Sequence, residues 1–534
     1  MIKFHGNQKI ALESTGNVAI SAAPGSGKTT VISEKIRRII HNSNDYSGVI
    51  AVSFTNKASN NLRDKCESGV GNIRNCYFGT IDKFCISEII HPFGKDLSKS
   101  HEFIVLPWEE VAHEDIEGLV VHPNEPLENH NNADSIAKFL KSGIIVLDLA
   151  TEIATFVYNN SISCKKYLAS KYSHIIIDEY QDCNLGQHIL FCALIDLGLT
   201  GIAAGDIQQS IFKFANKDPK YLVELTHRAD FHHVSITENF RSHSSIVDYS
   251  SNFRSRVSNY HYKENTSHVI SAKIAGDEFS VFKFINKEHG LNHFGQKQKT
   301  FGLFFTANDK CLRASNNLHN SSYFPSTPVD EKSSIHCHIF RHVLSSVFSS
   351  RPNSYEFALN YFNEESETTM FTYARKFFQT ISKDLYNDDT DSCISNLIHF
   401  SSRITGVGVD PASESALKIT LQDQNHINSY APIRDGALNI MTYHKAKGLE
   451  FDVVIMPELY KYILPNAYRD QEQEANIYYV GITRPKDFLF LITSTIRHKA
   501  DGASTYASES EFITKNDGQR FLLDYDNYIS SYFS

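Results

Sequence analysis

At 534 residues, with 41% hydrophobic and 21% charged residues, the sequence has an ordinary globular composition and the length of about three or four structural units. A formal net charge of −9 excludes a surface that is basic throughout, so any nucleic acid would need a local basic groove. Nine cysteines without a Cys-x-x-Cys pair argue against a disulfide framework or zinc ribbon and for reduced cytoplasmic thiols.

The opening stretch, "MIKFHGNQKIALES", lacks an apolar core of signal-peptide length. "GNVAISAAPGSGKTTVISEKIRRII" then predicts a strand, a glycine-rich turn and a helix, with Val18 and Ile20 alternating before Ile32, Ile36 and Ile39 recur at helical spacing. "SGVIAVSFTNKASNNLRDK" repeats the pattern, with a strand running to Phe54. Residues 96 to 160 mix acidic and apolar segments without strand signals and predict a helical insertion. Within it "GIIVLDLATEIATFVY" carries Asp148 and Glu152, which excludes a membrane span. "HIIIDEY" and "LTGIAAGD" predict two more buried strands, each ending in a polar turn. Residues 325 to 428 are rich in Ser, Asn, Asp and aromatics, again without clear strands. "GALNIMTYHKAKGLEFDVVIMPEL" and "YYVGITRPKDFLFLI" resume the strand–helix alternation, and "TFGLFFTAND" reads as a strand of the same second sheet. Such alternation predicts an α/β fold of two parallel-sheet cores, each interrupted by a mainly helical insertion. The boundaries are 1–95 with 161–235 for the first core, around an insertion at 96–160. The second core takes 236–324 with 429–534, around a reduced insertion at 325–428.

"HCHIFRH" holds His336, Cys337, His338 and His342, and His338 and His342 stand i,i+4 on a predicted helix. No second ligand pair follows at a sensible spacing, so a surface helix is the better reading than a metal site.

"AAPGSGKT" has the form of a phosphate-binding loop with Ala22 in place of the first glycine. Ala23, Pro24, Gly25, Ser26 and Gly27 would form the cradle, Lys28 would reach the β- and γ-phosphates, and the Thr29 hydroxyl would ligate Mg²⁺, with Thr30 beside it. Asp178 at the end of the third strand supplies the acidic half of a magnesium site. Glu179 is placed to orient or deprotonate an attacking water. Two arginines, Arg241 in "TENFRS" and Arg484 in "YVGITRPK", are candidates for charge stabilisation at the γ-phosphate.

In their order these segments resemble the motifs of the UvrD-like superfamily 1A helicases: "GNQKIAL", the phosphate loop, "AVSFTNKAS", "FGTIDKFC", "DEYQDCN", "AAGDIQQSIF", "TENFRS", "MTYHKAKGLEF" and "YYVGITR". The resemblance implies two RecA-like cores with ATP and Mg²⁺ between them. Gln8 would read adenine, Phe240 would stack on it, Glu450 would hold the ribose, and Gln209 would sense the γ-phosphate. Arg241, Glu450 and Arg484 would come from the second core. Single-stranded or tailed DNA would run across both cores, contacting Phe54, Thr55, Asn56, Thr80, Phe212, Phe214 and His444. The family also implies 3′-to-5′ translocation. "FGTIDKFCISEIIHPFGKD" and "ASKYSHIIIDEYQD" further resemble the helicase-like subunits of Gabija antiphage systems. That implies a hetero-oligomeric partnership with a GajA-like nuclease of the OLD family, bearing a Toprim-type metal site. The sequence departs from the family at Phe214, Ala215 and Asn216, where Trp or Tyr, then Arg and Gly, are usual, and at Pro485, where Ala is usual. These departures set a DNA-triggered ATPase switch beside the processive motor, and a stand-alone repair helicase with the same site is a third alternative.

Overall fold

The computed structural model describes residues 3–43, 47–54, 56–67, 73, 75–98, 103–106, 111, 130–212, 217–255, 267–287, 299–332, 334–349, 352–359, 361–362, 368–498 and 503–528. Its contacts divide the chain into two units, Met1–Arg241 and Ser242–Ser534.

In the first unit, strands β1 (Asn17–Ala22), β2 (Gly48–Ser53) and β3 (Tyr77–Thr80) precede the insertion. Inside the insertion lie β4 (Ile104–Leu106) and β5 (Ile144–Val146), and after it come β6 (Tyr172–Asp178), β7 (Thr200–Gly205) and β8 (Phe231–Ile236). The main sheet has the order β3-β2-β6-β7-β1-β8, and every pairing in it is parallel. Helices cover both faces, so alternate residues of each strand enter different cores. Ile175 and Ile177 join one apolar cluster and Ile176 the other, as do Val18 and Ile20 against Ala19. This explains why the strands read as continuous apolar runs.

The first insertion is mainly helical where it is described, with helices His130–Ser142 and Ala150–Asn160. The expectation of no strands fails at β4 and β5, which pair in parallel. Each is only three residues long, too short to show a period. Ile136, Phe139, Leu149 and Ile153 of the insertion share one core with the sheet residues Ile50 and Ile175.

The second unit is built on β9 (Val269–Ile274), β10 (Phe301–Phe305), β11 (Ser321–Tyr323), β12 (Leu438–Thr442), β13 (Phe451–Met456) and β14 (Pro485–Ser494). A small antiparallel pair follows, β15 (Ile496–His498) with β16 (Ser504–Tyr506), and then β17 (Leu523–Asp524). The large sheet runs β11-β12-β10-β13-β14-β9-β17. The "TFGLFF" strand takes its expected place, with β10 parallel between β12 and β13.

Every regular element described in the segment 325–428 is a helix, the longest being Ile335–Val347, Thr368–Tyr386, Thr390–Thr405 and Pro411–Gln422. Unlike the first insertion, it forms its own core, around Phe340, Phe357, Phe378, Leu397 and Phe400. "HCHIFRH" does form a helix, but the surface reading needs correction. His336 and Cys337 are buried, the His336 ring contacts the Ser401 hydroxyl at 2.7 Å, and the His342 ring contacts Tyr361 at 2.7 Å. The hydroxyl partners make it affordable to bury these rings. Among the described residues no helix is long and apolar enough to cross a membrane.

Candidate functional site

The phosphate-loop residues join β1 to the helix Lys28–Asn42. Gly25 and Gly27 both have positive φ, 71° and 76°, a backbone region closed to most side chains and suited to turning amides toward an anion. Ser26 is 1% exposed and its hydroxyl has no hydrogen-bond partner, an orphaned polar atom inside the cradle. Gln8 of the helix Gly6–Glu13 donates its side-chain amide to the Ser26 carbonyl at 2.8 Å, so the adenine-reading candidate is anchored to the loop itself. That helix is held in turn by Lys35, whose ammonium reaches the carbonyls of Ala11 (3.0 Å) and Ser14 (2.6 Å).

At the carboxyl end of the sheet the Lys28 ammonium lies 2.8 Å from Asp178 and 2.6 Å from Glu179. Burial alone would lower the Lys28 pKa, but the two carboxylates and their hydrogen bonds outweigh it and hold the value well above normal. Thr29 donates its hydroxyl to the other Asp178 oxygen at 3.1 Å. A hydroxyl and a carboxylate oxygen side by side are the hard ligands that magnesium takes, so these residues fit the ion.

The stretch 178 to 184 performs several local tasks. Asp178 closes β6 and accepts the Glu179 backbone amide at 2.9 Å. Glu179 takes a left-handed conformation, φ 64°, that turns the chain into a single 3-10 turn at Tyr180–Asp182. For a residue with a side chain this costs of order 1 kcal/mol, and it swings the carboxylate sideways to Lys28. Tyr180 goes into the core, with its hydroxyl 2.9 Å from His188, and Asn184 caps the helix Leu185–Asp196.

Gln181 is fully buried and bridges two motifs. Its amide nitrogen donates to Glu179 at 2.6 Å, and its amide oxygen accepts the Asp206 backbone N–H at 3.0 Å. Asp206 then accepts the Gln209 side-chain amide at 2.9 Å. A continuous path therefore runs Lys28–Glu179–Gln181–Asp206–Gln209, ending three residues before Phe212.

Phe240 and Arg241 are the last residues of the first unit, whereas the resemblance implied the second core for Arg241. The Phe240 amide donates to the Gly25 carbonyl at 2.9 Å, and its half-exposed ring lies 6.4 Å from the His5 ring. Asn239, which sequence reasoning did not single out, donates to the Pro24 carbonyl at 2.8 Å and accepts the Arg241 amide at 2.8 Å. Its only sequence signal was its position beside Phe240 in "TENFRS".

Phe54 and Phe212 are part-buried within the first unit, and Thr80 caps the helix Ile81–Phe84 by accepting the Lys83 amide. Thr55 and Phe214 lie outside the described residues, as do the Asn56 side chain and the departures Ala215 and Asn216. In the second unit, Glu450 is exposed and 3.9 Å from Lys486, while His444 is part-buried in the turn after β12. Arg484 is 3% exposed, and its guanidinium donates to the Val480 carbonyl (3.0 Å), the Leu449 carbonyl (3.3 Å) and the Thr483 hydroxyl (3.0 Å). In this structure the guanidinium of this γ-phosphate candidate is held by groups of its own unit.

Residues 5–142 and 127–230 match the UvrD/REP helicase N-terminal domain, and residues 325–495 match the UvrD-like helicase C-terminal domain. The chain is 26% identical to the Gabija protein GajB of Bacillus cereus (strain VD045), over 89% of this chain and 93% of that protein. It is 22% identical to the ATP-dependent DNA helicase Rep of Buchnera aphidicola subsp. Schizaphis graminum, over 98% of each. With the ATP-dependent DNA helicase PcrA of Staphylococcus epidermidis it shares 21% identity, over 92% of this chain and 84% of that protein.

Proposed function

Because this chain belongs to the UvrD-like helicase family, a family of ATP-hydrolysing enzymes, we propose that it is a 3′-to-5′ DNA translocase acting as the helicase-like subunit of a Gabija-type antiphage complex. The observation that carries the reading is the path from Lys28 through Glu179, Gln181 and Asp206 to Gln209. It joins the acid that would act on water to the turn leading to Phe212.

ATP phosphates would be held by the loop amides and Lys28, and Thr29 with Asp178 would hold the magnesium ion. When bound, that ion neutralises phosphate charge as it shifts toward the leaving group. Lys28 in this structure is committed to Asp178 and Glu179. When it turns to a phosphate, Glu179 loses its strongest partner and keeps the Gln181 amide, which holds the carboxylate in place to take a proton from water. Movement of Gln209 would reach Glu179 through the same amide. Support for a defence role and a nuclease partner is the similarity to GajB along most of both chains.

The test is ATP turnover with and without single-stranded DNA, beside strand separation on a 3′-tailed duplex. Stimulated turnover with separation is expected, and Lys28→Ala or Glu179→Ala should lower turnover at least about a hundredfold. Stimulated turnover without separation would replace the motor by a DNA-triggered switch, the reading favoured by Ala215 in place of an arginine. Turnover indifferent to DNA would reject both. Co-purification with a Toprim nuclease tests the partner.

A further inference from the structure

Phe54 and Phe212 come from different segments, one following β2 and the other following the Gln209 turn, yet one ammonium serves both rings. Lys217 Nζ lies 4.5 Å from the centroid of Phe54 and 5.4 Å from that of Phe212. The lysine is well fixed at its base. The backbone N–H of Asp218 donates to the Cys183 carbonyl at 3.1 Å, and the Asp218 carboxylate accepts the Lys220 amide at 2.9 Å, where the helix Lys220–His227 begins. The Lys217 charge also offsets part of the upward pKa shift of the part-buried Asp82 carboxyl. Lys217 thus stands where "DEYQDCN", "TIDKF" and the Gln209 turn converge.

We propose that Lys217 is a nucleic-acid contact of this chain, covering Phe54 and Phe212 when no strand is bound and passing to a backbone phosphate when bases stack on the rings. This rests on the reading of those two phenylalanines as the strand-facing aromatics. A base stacked face to face on a half-buried aromatic ring gains more than an ammonium held 4.5–5.4 Å from the ring centroid. The exchange therefore favours the base, and the four-carbon stem lets the displaced charge follow the strand. Two phenylalanines offer a phosphate no charge, and a chain of net charge −9 needs a local cation at this point. Lys217 supplies it two residues after Ala215, where the family's arginine is missing.

The experiment is fluorescence anisotropy of a labelled oligothymidylate of about 16 nucleotides, titrated across a series of salt concentrations with the full chain. Lys217→Ala should bind several-fold more weakly at low salt, and the slope of log affinity against log salt should become shallower by about 0.7, the value for one lost phosphate contact on a single strand. Lys217→Arg should restore the slope, and Phe54→Ala should weaken binding with the slope unchanged. Lys217→Gln replaces the alanine variant if that one does not fold. Wild-type affinity and slope in both neutral variants would overturn the proposal while leaving the strand-binding reading intact. Tighter binding at unchanged slope would overturn it too, showing a plug and not a contact. A wild-type chain that binds no oligonucleotide would reject the underlying reading, and the inference with it.

Discussion

Gln181 shows how much can rest on one amide. It is fully buried, satisfied on both sides, and lies between an acid that faces the nucleotide loop and an aspartate that fixes Gln209. Its fit depends on Gly205 at the end of β7: a Cβ there would stand 2.1 Å from the Gln181 amide oxygen. The glycine is needed for this close approach, because its φ is not unusual. Gly205→Ala should therefore expel the amide and resemble Gln181→Ala, each lowering DNA-stimulated turnover about tenfold or more. Each should also cost about 1–3 kcal/mol of stability by leaving the buried Asp206 N–H unpaired. A double-mutant cycle on the stimulated rate checks this: the two losses should not add, since both remove one bridge. Additive losses would show that Gly205 serves packing instead.

Between elements, the contact of the helix Ala150–Asn160 with the start of Leu185–Asp196 gives a pH-dependent term. Glu152 is 7% exposed, one carboxyl oxygen has no hydrogen-bond partner, and the group lies against Gly186. Burial, with Asp82 and Asp148 nearby, raises its pKa to about 7. The folded state therefore holds a proton that the unfolded chain releases near pH 4.5, so stability is lost as pH rises from there to about 7. Glu152→Gln should raise the thermal midpoint at pH 8 by the equivalent of about 1–3 kcal/mol, and the gain should fade by pH 5. An equal gain at both pH values would assign the effect to packing. What the sequence revealed at this scale follows the same logic of local against distant. The main strands and the phosphate loop were legible because their signals, continuous apolar runs between polar turns and spaced glycines, lie within a few neighbouring residues. The three-residue strands β4 and β5 are too short to give such a signal. The Asn239 clamp on Pro24 and the Lys217 contact with Phe54 join residues more than a hundred positions apart, which no local pattern records. Arg484 was legible as a motif residue but not in its orientation, which the Val480 and Leu449 carbonyls set.

The two insertions differ in kind across the whole molecule. The first contributes Ile136, Phe139 and Ile153 to the same core as the sheet, so the first unit cannot lose it without exposing apolar surface. The second closes its own core around Phe357, Phe378 and Phe400, and the sheet of its unit has a separate one around Leu303, Ile440 and Ile455. Among the described residues, Lys445, in the one-turn helix after β12, ties it to the sheet by reaching the Pro325 carbonyl at 3.1 Å and Asp330 at 3.8 Å. Strands β11 and β12 pair in parallel on either side of it, so any replacement must still cross over the sheet, which takes about a dozen residues. Exchanging residues 328–430 for a Gly/Ser linker of that length should leave a folded chain whose ATP turnover keeps at least about half its wild-type rate. A matching exchange of residues 103–160 should give insoluble protein, because it opens a shared core. Solubility and turnover of the two variants decide the matter. A soluble first variant with no turnover would mean that the second insertion takes part in hydrolysis, a role that its separate core gives no reason to expect.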